Sequence, residues 1–453
     1  MAKYKAYPEY KESGIEWLGR VPKHWSAKSL KFICTFNDQV ISESAGQDYE
    51  IEYVDIGSVN SSQGITKTET MLLSKAPSRA RRLVKDGDVI ISTVRTYLEA
   101  ISPIINPPDN MVVSTGFAVI RPSIGLNHAF AAYCLRASGF IKEVVARSVG
   151  VSYPAINASD LVNIPVPNMP LTEQLRIASF LDHETAKIDN LIEKQQQLIE
   201  LLKEKRQAVI SHAVTKGLNP DVPMKDSGVE WLGEVPEHWT VSTIKHISTF
   251  IGTGGTPKNS ESFTDDDGID WFSPGDFNGS LALRHAKKKI TTQAVSNGDA
   301  KSYPKDSIVV IGIGATLGKV AFVDHEFSCN QQINIITPSK TVDHKYLTYS
   351  LLNQVEQMKQ SSNASTIGIM NQEKTKQIWI AFPPKDEQIK ILSVLSQKEI
   401  EFDELLKKSE YQILLLQERR TALISAAVTG KIDVRDWVAP DTQGVEEPQE
   451  ATA

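Results

Sequence analysis

The sequence has little of what marks a secreted, membrane or metal-binding protein. It holds three cysteines in 453 residues, Cys34, Cys134 and Cys329, and their wide spacing fits neither a disulfide framework nor a zinc site. No apolar run approaches the ~18 residues of a membrane span, and the N-terminus lacks the apolar core of a signal peptide. We therefore expect a cytoplasmic protein with no membrane partner, whose cysteines are ordinary buried thiols.

A credible active site is missing as well. Residues 106–109, Asn-Pro-Pro-Asp, resemble the Asn-Pro-Pro-aromatic motif of amino-methyltransferases, but Asp109 replaces the aromatic residue that stacks on a flipped base. Residues 312–319, GIGATLGK, approach phosphate-loop spacing, but Ile313 replaces the first glycine and Val320 the Ser or Thr that binds magnesium. We interpret the first as a proline loop and the second as a Gly-rich turn close to a neighbouring backbone. The sequence predicts no catalytic residue and no metal site.

The sequence also lacks an excess of positive charge. The formal net charge of −6 argues against a freestanding nucleic-acid binder. Residues 433–453 carry −5 of it, and the part after Trp437 is rich in Pro, Gln and Glu, which predicts a disordered acidic tail. The remaining chain is almost neutral, so the distribution of its charges matters more than their sum.

The sequence does contain two copies of a segment that predicts a long amphipathic helix. Residues 173–216 and 387–430 align at an offset of 214, with apolar residues every seven positions and a polar residue in each stripe, Gln195 and Ser409. Such a repeat is typical of a coiled-coil seam, and about 44 residues at ~1.5 Å each would form a rod of roughly 65 Å. Two copies in one chain favour packing of the helices on each other over a simple oligomerisation seam. Further leucines widen the stripe, among them Leu191, Leu198 and Leu405.

Start and stop signals bracket both helices. Prolines precede each start, and Thr172 and Asp386 are equivalent N-cap candidates. Gly217 and Gly430 stand at or just past the last turn, where glycine commonly ends a helix.

A tryptophan-containing signature is repeated at the same offset. Residues 11–25, KESGIEWLGRVPKHW, return as residues 225–239, KDSGVEWLGEVPEHW. Each copy pairs two tryptophans, Trp17 with Trp25 and Trp231 with Trp239. We interpret the signatures as structural clasps whose indoles dock against the helix ends, with a ligand cage as the alternative.

The constant offset defines a tandem architecture of α+β class. Predicted strands lie at 51–56, 89–94 and 117–120 in the first copy and at 308–313, 320–323 and 333–336 in the second, with helices at 128–145 and 344–360. The segments are a first signature segment (1–25), a first variable domain (26–168), a central helix (169–217), a linker with the second signature (218–239), a second variable domain (240–382), a C-terminal helix (383–432) and the acidic tail (433–453).

Each variable domain also carries a basic segment and polar side chains beside its strands. The basic residues are Lys75, Arg79, Arg81, Arg82 and Lys85 in the first domain and Arg284, Lys287, Lys288 and Lys289 in the second. One cluster per repeat in an otherwise acidic chain favours contact with DNA phosphates over an ordinary solvated surface. The polar residues are Arg95 and Tyr97 in the first domain and Asn330, Gln331 and Gln332 in the second. Arg pairs with guanine and Asn or Gln with adenine, so these are candidate base-reading residues, although ordinary polarity at strand ends is an equal alternative.

These repeats resemble the specificity subunits of type I DNA restriction-modification enzymes. The resemblance rests on the doubled GIEWLG/VPKHW and GVEWLG/VPEHW signature, on NIPVPNMPLTEQLRIASFLD with its weaker copy WIAFPPKDEQIKILSVLS, and on GATLGKV. It extends over nearly the whole chain up to about residue 433, and the repeated order makes it specific.

The resemblance implies two globular target-recognition domains separated by two long antiparallel coiled-coil helices. Each domain would read one half of a bipartite target in double-stranded DNA, while the helices set the spacer and bind two methyltransferase (modification) subunits. Restriction/translocase subunits would join that core. S-adenosylmethionine, ATP and Mg would bind to the partners, and none to this chain. Recognition domains diverge within the family, so the resemblance assigns no base-reading residue.

Two other classes of function stay open from the residues alone. One is a stand-alone DNA methyltransferase with fused reading domains, against which the missing cofactor loop counts. The other is a coiled-coil scaffold that binds proteins only.

Overall fold

A computed structural model describes residues 4–60, 63–361 and 368–439. The chain forms two compact units, the first made of residues 1–196 and 410–453 and the second of residues 197–409. Each unit therefore contains one signature, one variable domain and part of each long helix, as the tandem repeat predicts.

The first unit is built on short strands of two to six residues each. Its strands are β1 (Tyr10–Glu12), β2 (Arg20–Pro22), β3 (Ser26–Ser29), β4 (Cys34–Phe36), β5 (Glu50–Val54), β6 (Val59–Asn60), β7 (Gly64–Ile65), β8 (Glu69–Leu72), β9 (Ala80–Leu83), β10 (Val89–Ser92), β11 (Ile101–Pro103), β12 (Met111–Ser114), β13 (Phe117–Pro122) and β14 (Pro165–Asn168). Its helices are α1 (His128–Cys134), α2 (Ser138–Ala146), α3 (Ala158–Leu161) and the first part of α4 (Leu171–Thr215).

The second unit repeats most of this order. Its strands are β15 (Met224–Asp226), β16 (Glu234–Pro236), β17 (Thr240–Thr243), β18 (Ser248–Thr253), β19 (Phe263–Thr264), β20 (Ile269–Phe272), β21 (Lys289–Ile290), β22 (Ser307–Ile311), β23 (Val320–Val323), β24 (Phe327–Cys329), β25 (Ile333–Pro338) and β26 (Trp379–Phe382). Its helices are α5 (Ile244–Ile247), α6 (Thr292–Ser296), α7 (His344–Leu352), α8 (Val355–Ser361), α9 (Gln372–Lys376) and the first part of α10 (Lys385–Val428).

One four-stranded sheet is the same in both units. Its order is β11-β10-β13-β4 in the first and β23-β22-β25-β18 in the second, antiparallel throughout. The central strands are buried on both faces, which explains their nearly continuous runs of Val, Ile and Phe.

The other four-stranded sheet differs between the units. Both contain a parallel pair, β5 with β12 and β20 with β24. The first unit adds β9 outside β12, whereas the second adds β19 on the opposite side, outside β21. The divergent part of each domain is therefore this sheet and the turns that leave it.

The predicted strands are confirmed to within a few residues, but the two predicted helices are each broken. Residues 128–145 form α1 and α2, and residues 344–360 form α7 and α8. In the first break, Leu135 and Ala137 are completely buried, because the turn brings an apolar face of both helices onto the core. Hydrophobic pattern alone does not resolve such a turn from a continuous helix.

The long helices α4 and α10 are confirmed, and within each unit their segments run antiparallel. In the first unit, Ile177 and Leu181 of α4 share a core with Leu423 and Ala427 of α10. In the second, the last turns of α4 pack with the first turns of α10. The N-cap prediction was wrong: α4 begins at Leu171 and α10 at Lys385, each directly after a proline, so Thr172 and Asp386 lie inside the first turn.

The contact between α4 and α10 is narrower than the predicted apolar stripe. Ser409 is buried and Gln195 half-buried, in agreement with a polar position in each seam. However, Leu191, Leu198 and Leu405 are 47%, 41% and 45% exposed. These leucines therefore lie on the exposed surface of the helices and not in the contact between them.

An ion pair repeats along the helices with its partners reversed. Arg420 Nε donates to Asp189 Oδ1 over 2.8 Å in the first unit, and Arg206 Nη1 to Asp403 Oδ1 over 2.8 Å in the second. In the aligned copies of the helix, Asp189 corresponds to Asp403 and Arg206 to Arg420. The same contact therefore forms twice, as antiparallel pairing of two copies of one helix requires.

The clasp prediction is confirmed for the second tryptophan of each signature, whereas Trp17 Nε1 donates to the Pro165 carbonyl of β14 (3.0 Å). Trp25 Nε1 donates to Glu173 Oε1 at the start of α4 (2.9 Å), and the same indole packs against Gly430 beyond the end of α10. In the second unit Trp239 contacts Glu387 (3.2 Å) and Gly217 in the same way. Gly430 and Gly217 have positive φ, 73° and 80°, and thereby end the helices where the sequence places their stops.

The predicted acidic tail begins later than residue 433. Val434 is buried, the Asp433 N–H donates to the Lys5 carbonyl (2.8 Å), and the Trp437 ring packs edge-on against Phe180 at 5.5 Å. Residues up to 437 thus belong to the first unit, because they fill its surface beside α4. The rest of the predicted tail, 440–453, lies outside the described residues.

The thiols of Cys34, Cys134 and Cys329 are buried and unpaired, as predicted, and burial raises the pKa of each, that of Cys34 to about 12. Within the described ranges, no helix is long and apolar enough to cross a membrane. In the same residues, no group of three or more His, Cys, Asp or Glu side chains is placed to hold a metal ion.

Candidate DNA interface

Two adjacent turns carry the candidate base-reading residues in each unit. The first, turn A, connects two neighbouring strands of the shared sheet and spans residues 93–100 or 312–319. The second, turn B, enters the central strand of that sheet and spans residues 114–116 or 330–332. Backbone hydrogen bonds join the two turns: Thr93 N donates to Gly116 O (2.8 Å), and Gly312 N to Gln332 O (2.8 Å).

Turn A has one backbone geometry in both units. The carbonyl of Arg95 accepts from Leu98 N in the first unit (2.9 Å), and that of Gly314 accepts from Leu317 N in the second (3.0 Å). Further backbone hydrogen bonds match when residue 93 is aligned with residue 312. This alignment pairs TVRTYLEA with GIGATLGK. The interpretation of the second as a Gly-rich turn near a backbone is confirmed, since a Cβ on Gly312 would lie 2.6 Å from the Met370 carbonyl.

The alignment shows two strained positions in the first unit. Arg95 and Glu99 both have φ of 51°, in the left-handed region, where the second unit has Gly314 and Gly318 with φ of 89° and 86°. A side chain in this region costs roughly 1–2 kcal/mol relative to glycine. Residues retained under such strain cluster at functional sites, so this turn is a candidate for function.

Arg95 lies against a ring that the sequence did not single out. Its guanidinium carbon is 5.0 Å from the centre of the Tyr153 ring, within cation–π distance. Arg95, Tyr97 and Tyr153 are all exposed, so turn A presents a cation and two phenols to solvent. The left-handed conformation of Arg95 could not be read from the sequence. It stands out only when turn A is aligned with its copy in the second unit, which has glycine at that position.

The basic segment of the first unit adjoins turn B. The Arg79 carbonyl accepts from Thr115 N (2.8 Å), and Arg82 Nη2 donates to the Thr115 carbonyl (3.3 Å). The exposed Arg79 and Arg81 can contact phosphates beside the turn. Arg82 is half-buried, its Nε has no hydrogen-bond partner among the described residues, and burial lowers its pKa. It is therefore less accessible to DNA than its neighbours.

The ends of this basic segment lie apart. Lys75 is exposed at the end of a short 3-10 turn before β9, on the side of Arg79. Lys85 is also exposed but follows the other end of β9, where Leu83 pairs with Val112. The structure thus groups the middle of the segment with turn B and places Lys85 elsewhere.

In the second unit the polar residues form turn B. Asn330 Oδ1 accepts from Gln332 N (2.9 Å), and Thr256 Oγ1 hydrogen-bonds to Gln331 Oε1. Gly254 packs so closely that an added Cβ would lie 2.3 Å from the Cys329 and Asn330 carbonyls. The exposed amides of Gln331 and Gln332 stand on a rigid turn and can serve as base-edge donors and acceptors.

The second basic segment is not the structural counterpart of the first. The Lys288 carbonyl accepts from Trp271 N of β20 (2.9 Å), and the Lys288 ammonium lies 5.6 Å from the centre of the Phe263 ring. Asp276 Oδ1 accepts from Lys287 N (3.1 Å), and the half-buried Lys289 begins β21. This segment lies beside β20, whereas β9 lies beside β12, so the two basic segments flank the parallel strand pair on opposite sides.

Arg284 is the first residue of this basic segment. It is exposed and lines a cleft of about 920 Å³ together with Tyr349 of α7 and Glu399 of α10. Of the second basic segment, Lys287 and Lys288 are therefore the residues best exposed beside β20.

The fold and this interface define a class: a tandem-repeat protein with two α+β domains, each carrying an exposed basic segment and a rigid polar turn, mounted on paired long helices. The model of the type I restriction modification DNA specificity domain matches residues 22–201 and again residues 236–415. The chain belongs to the family of type I restriction-modification specificity subunits, which are non-catalytic DNA-recognition subunits.

Known relatives agree over nearly the whole chain. A putative type I restriction enzyme MjaX specificity subunit from Methanocaldococcus jannaschii is 22% identical over 94% of this chain and 98% of its own length. The StySPI specificity subunit from Salmonella potsdam is 20% identical over 93% of this chain and 92% of its own length.

Two solved structures share the fold. The HsdS subunit from Thermoanaerobacter tengcongensis aligns with a TM-score of 0.53 and 20% identity, over 91% of this chain and 98% of that one. A chain from a study of complex assembly and conformational transition of the type I R-M system aligns with a TM-score of 0.71 and 21% identity, over 91% of this chain and 99% of that one.

Proposed function

We propose that each unit reads one half of a bipartite DNA target through its turns A and B. One observation carries this proposal: the two units place the same two turns on the same sheet but fill them with different chemistry. The first offers Arg95 and Tyr97 on turn A, and the second offers Gln331 and Gln332 on turn B. Different donors and acceptors on one scaffold are suited to two unlike base sequences.

The basic segments would supply phosphate contacts that carry no sequence information. Arg79 and Arg81 beside turn B of the first unit, and Lys287 and Lys288 beside β20 of the second, are exposed and suited to this role. The chain as a whole is acidic, so phosphate contacts from partners would be needed for tight binding.

The partners would be two methyltransferase subunits docked on the long helices, with restriction/translocase subunits added to that core. Supporting this, Leu191, Leu198 and Leu405 are exposed on α4 and α10, and leucines exposed on otherwise polar helices are favourable contacts for another protein. S-adenosylmethionine, ATP and Mg would then bind to these partners in the cytoplasm, while this chain selects the site.

The test is methylome sequencing of a host that expresses the chain with its modification subunits. We expect one methylated motif with two specific halves separated by unspecified base pairs. A contiguous motif would overturn the two-reader proposal. Labelled methyl transfer by the purified chain alone, after removal of co-purifying partners, would instead favour a stand-alone methyltransferase.

DNA binding by the chain with and without a modification subunit tests the scaffold alternative. A sequence-specific signal that appears when the two are combined supports a recognition subunit. Absence of sequence-specific DNA binding both with and without the modification subunit would indicate a protein-interaction scaffold.

A further inference from the structure

A short hairpin, residues 148–156, stands against turn A of the first unit. Val149 and Ala155 exchange backbone hydrogen bonds of 2.8 and 3.0 Å, and the exposed Val151 and Tyr153 lie at its tip. Val151 is completely exposed, which is unusual for an apolar side chain that a protein orders in a hairpin.

The hairpin is fixed to turn A at both of its ends. Thr96 Oγ1 hydrogen-bonds to Ser148 Oγ (2.7 Å) on one side, and Ile156 N donates to the Thr93 carbonyl (2.9 Å) on the other. Tyr153 therefore keeps a defined position beside Arg95, and their contact is part of the ordered surface.

The Arg95 guanidinium lies over the Tyr153 ring. Within the described part of the chain, Arg95 has no ion-pair partner, although Glu99 is nearby in sequence. Stacking on a ring restricts the guanidinium while leaving its N–H edges free, so less rotamer entropy is lost when it binds a ligand.

We propose that Arg95 and Tyr153 form one base-reading pair: Tyr153 positions the Arg95 guanidinium for a bidentate contact with a guanine in the major groove. The proposal rests on the proposed function and names a contact within the first half-site. Guanine N7 and O6 are two adjacent acceptors that match the guanidinium fork. The strain at Arg95 is then explained, since glycine would fit the backbone better but could not reach a base.

The test uses the full chain with its modification subunits and duplexes in which each base pair of the first half-site is replaced singly. Arg95→Gly should lose about tenfold to a hundredfold of the preference for one G·C pair, because it removes the bidentate contact. Its melting temperature should not fall, because glycine is suited to a φ of 51°.

The Tyr153 variants test the positioning role. Tyr153→Ala should weaken the preference at the same base pair but by less, whereas Tyr153→Phe, which keeps the ring, should retain it. Asn106→Gly is the control: it relieves a left-handed conformation of similar φ, 46°, outside turns A and B and should leave every base preference unchanged.

The outcomes separate this inference from the proposed function. Unchanged preference at every base pair in Arg95→Gly overturns the inference, and so does a loss spread evenly over all base pairs. Should Arg95→Gly fail to fold, equal preferences in Tyr153→Ala and Tyr153→Phe would overturn it. Absence of any base preference in the unaltered chain would overturn the proposed function itself.

Discussion

The two units fill turn A, which leaves the shared sheet, with different residues. In the first unit this turn carries Arg95 and Glu99 in left-handed conformations, and in the second unit glycines occupy both positions. Turn B shows the reverse, with Ser-Thr-Gly in the first unit and Asn-Gln-Gln in the second. The candidate base-reading side chains therefore lie on turn A in the first unit and on turn B in the second, while the backbone is the same.

The clasps at the helix ends show the opposite behaviour. His24 and Trp25 contact Glu173, and at the equivalent positions of the second copy His238 and Trp239 contact Glu387. Constant contacts hold the scaffold, and variable turns are free to change what they bind. This difference explains why the residues of the two signatures match each other, whereas those of the two variable domains hardly do.

The largest expected difference between the units concerns these clasps. Glu173 is buried and accepts from Tyr7, Trp25 and His24, whereas Glu387 is partly exposed and is contacted by His238 and Trp239. Removing an acceptor leaves buried donors unpaired at about 1–3 kcal/mol each. On that basis we expect Glu173→Ala to destabilise the start of α4 by about 4 kcal/mol and Glu387→Ala that of α10 by about 2 kcal/mol.

Hydrogen exchange of the first turns of α4 and α10 measures both effects locally. Glu173→Gln, which keeps one acceptor oxygen, serves as the control and should lose less protection. Equal losses in both alanine variants would show that Tyr7 adds nothing to the first clasp.

A second prediction concerns the rigidity of turn B in the second unit. A Cβ at Gly254 would meet two backbone carbonyls at 2.3 Å, and neither can move aside. We expect Gly254→Ala to destabilise the second unit by about 3 kcal/mol and to weaken recognition of its half-site alone. Thermal unfolding and methylation of targets altered in either half would measure this.

Gly255→Ala is the matched control, because none of the described atoms lies within 4 Å of its added Cβ. It should behave like the unaltered chain. A weakened preference in both halves after Gly254→Ala would contradict the independence of the two units.

The basic segments should act alike on DNA despite their different positions. Arg79→Ala, Arg81→Ala and Lys288→Ala should each weaken binding to all sequences and lower the salt slope by about one. Binding titrations at several salt concentrations provide the measurement. Arg82→Ala should differ, since its guanidinium contacts the Thr115 carbonyl, and should lower the melting temperature more than the salt slope.

The smallest difference is expected between the two helix ion pairs. Arg206 donates to both Asp403 and Glu399, whereas Arg420 donates to Asp189, and its positive charge lies near that of Arg136. Partly exposed pairs contribute roughly 0–1 kcal/mol, so Arg206→Ala should cost about 0.5–1 kcal/mol and Arg420→Ala close to zero. Chemical denaturation at low and high salt checks this; equal costs that do not change with salt would contradict it.

Much of this fold follows from the sequence because repetition is visible in it. The constant offset between the two copies predicts the two clasps, and the seven-residue pattern predicts the long helices. The exposed Leu191 and Leu198 could not be separated from the seam, since a stripe shows which face is apolar but not how wide the contact is. The breaks within residues 128–145 and 344–360 depend on tertiary packing and were missed for that reason.

The candidate site was predicted less completely. Arg95, Gln331 and Gln332 were proposed from the sequence because arginine and amides suit base edges. Tyr153 was not proposed, since it is distant from Arg95 in the sequence and no local pattern links the two. The opposite placement of the basic segments depends on strand order, which charge runs do not contain. These predicted DNA contacts remain predictions.

Exchange of residues 26–168 for the matching segment of a relative with a known target tests the central claim most directly. Methylome sequencing of a host with the chimera should show a new first half-site, with the second half-site and the spacer unchanged. The reciprocal exchange of residues 240–382 should change only the second half-site. A chimera that alters both halves at once would contradict the account of two independent readers.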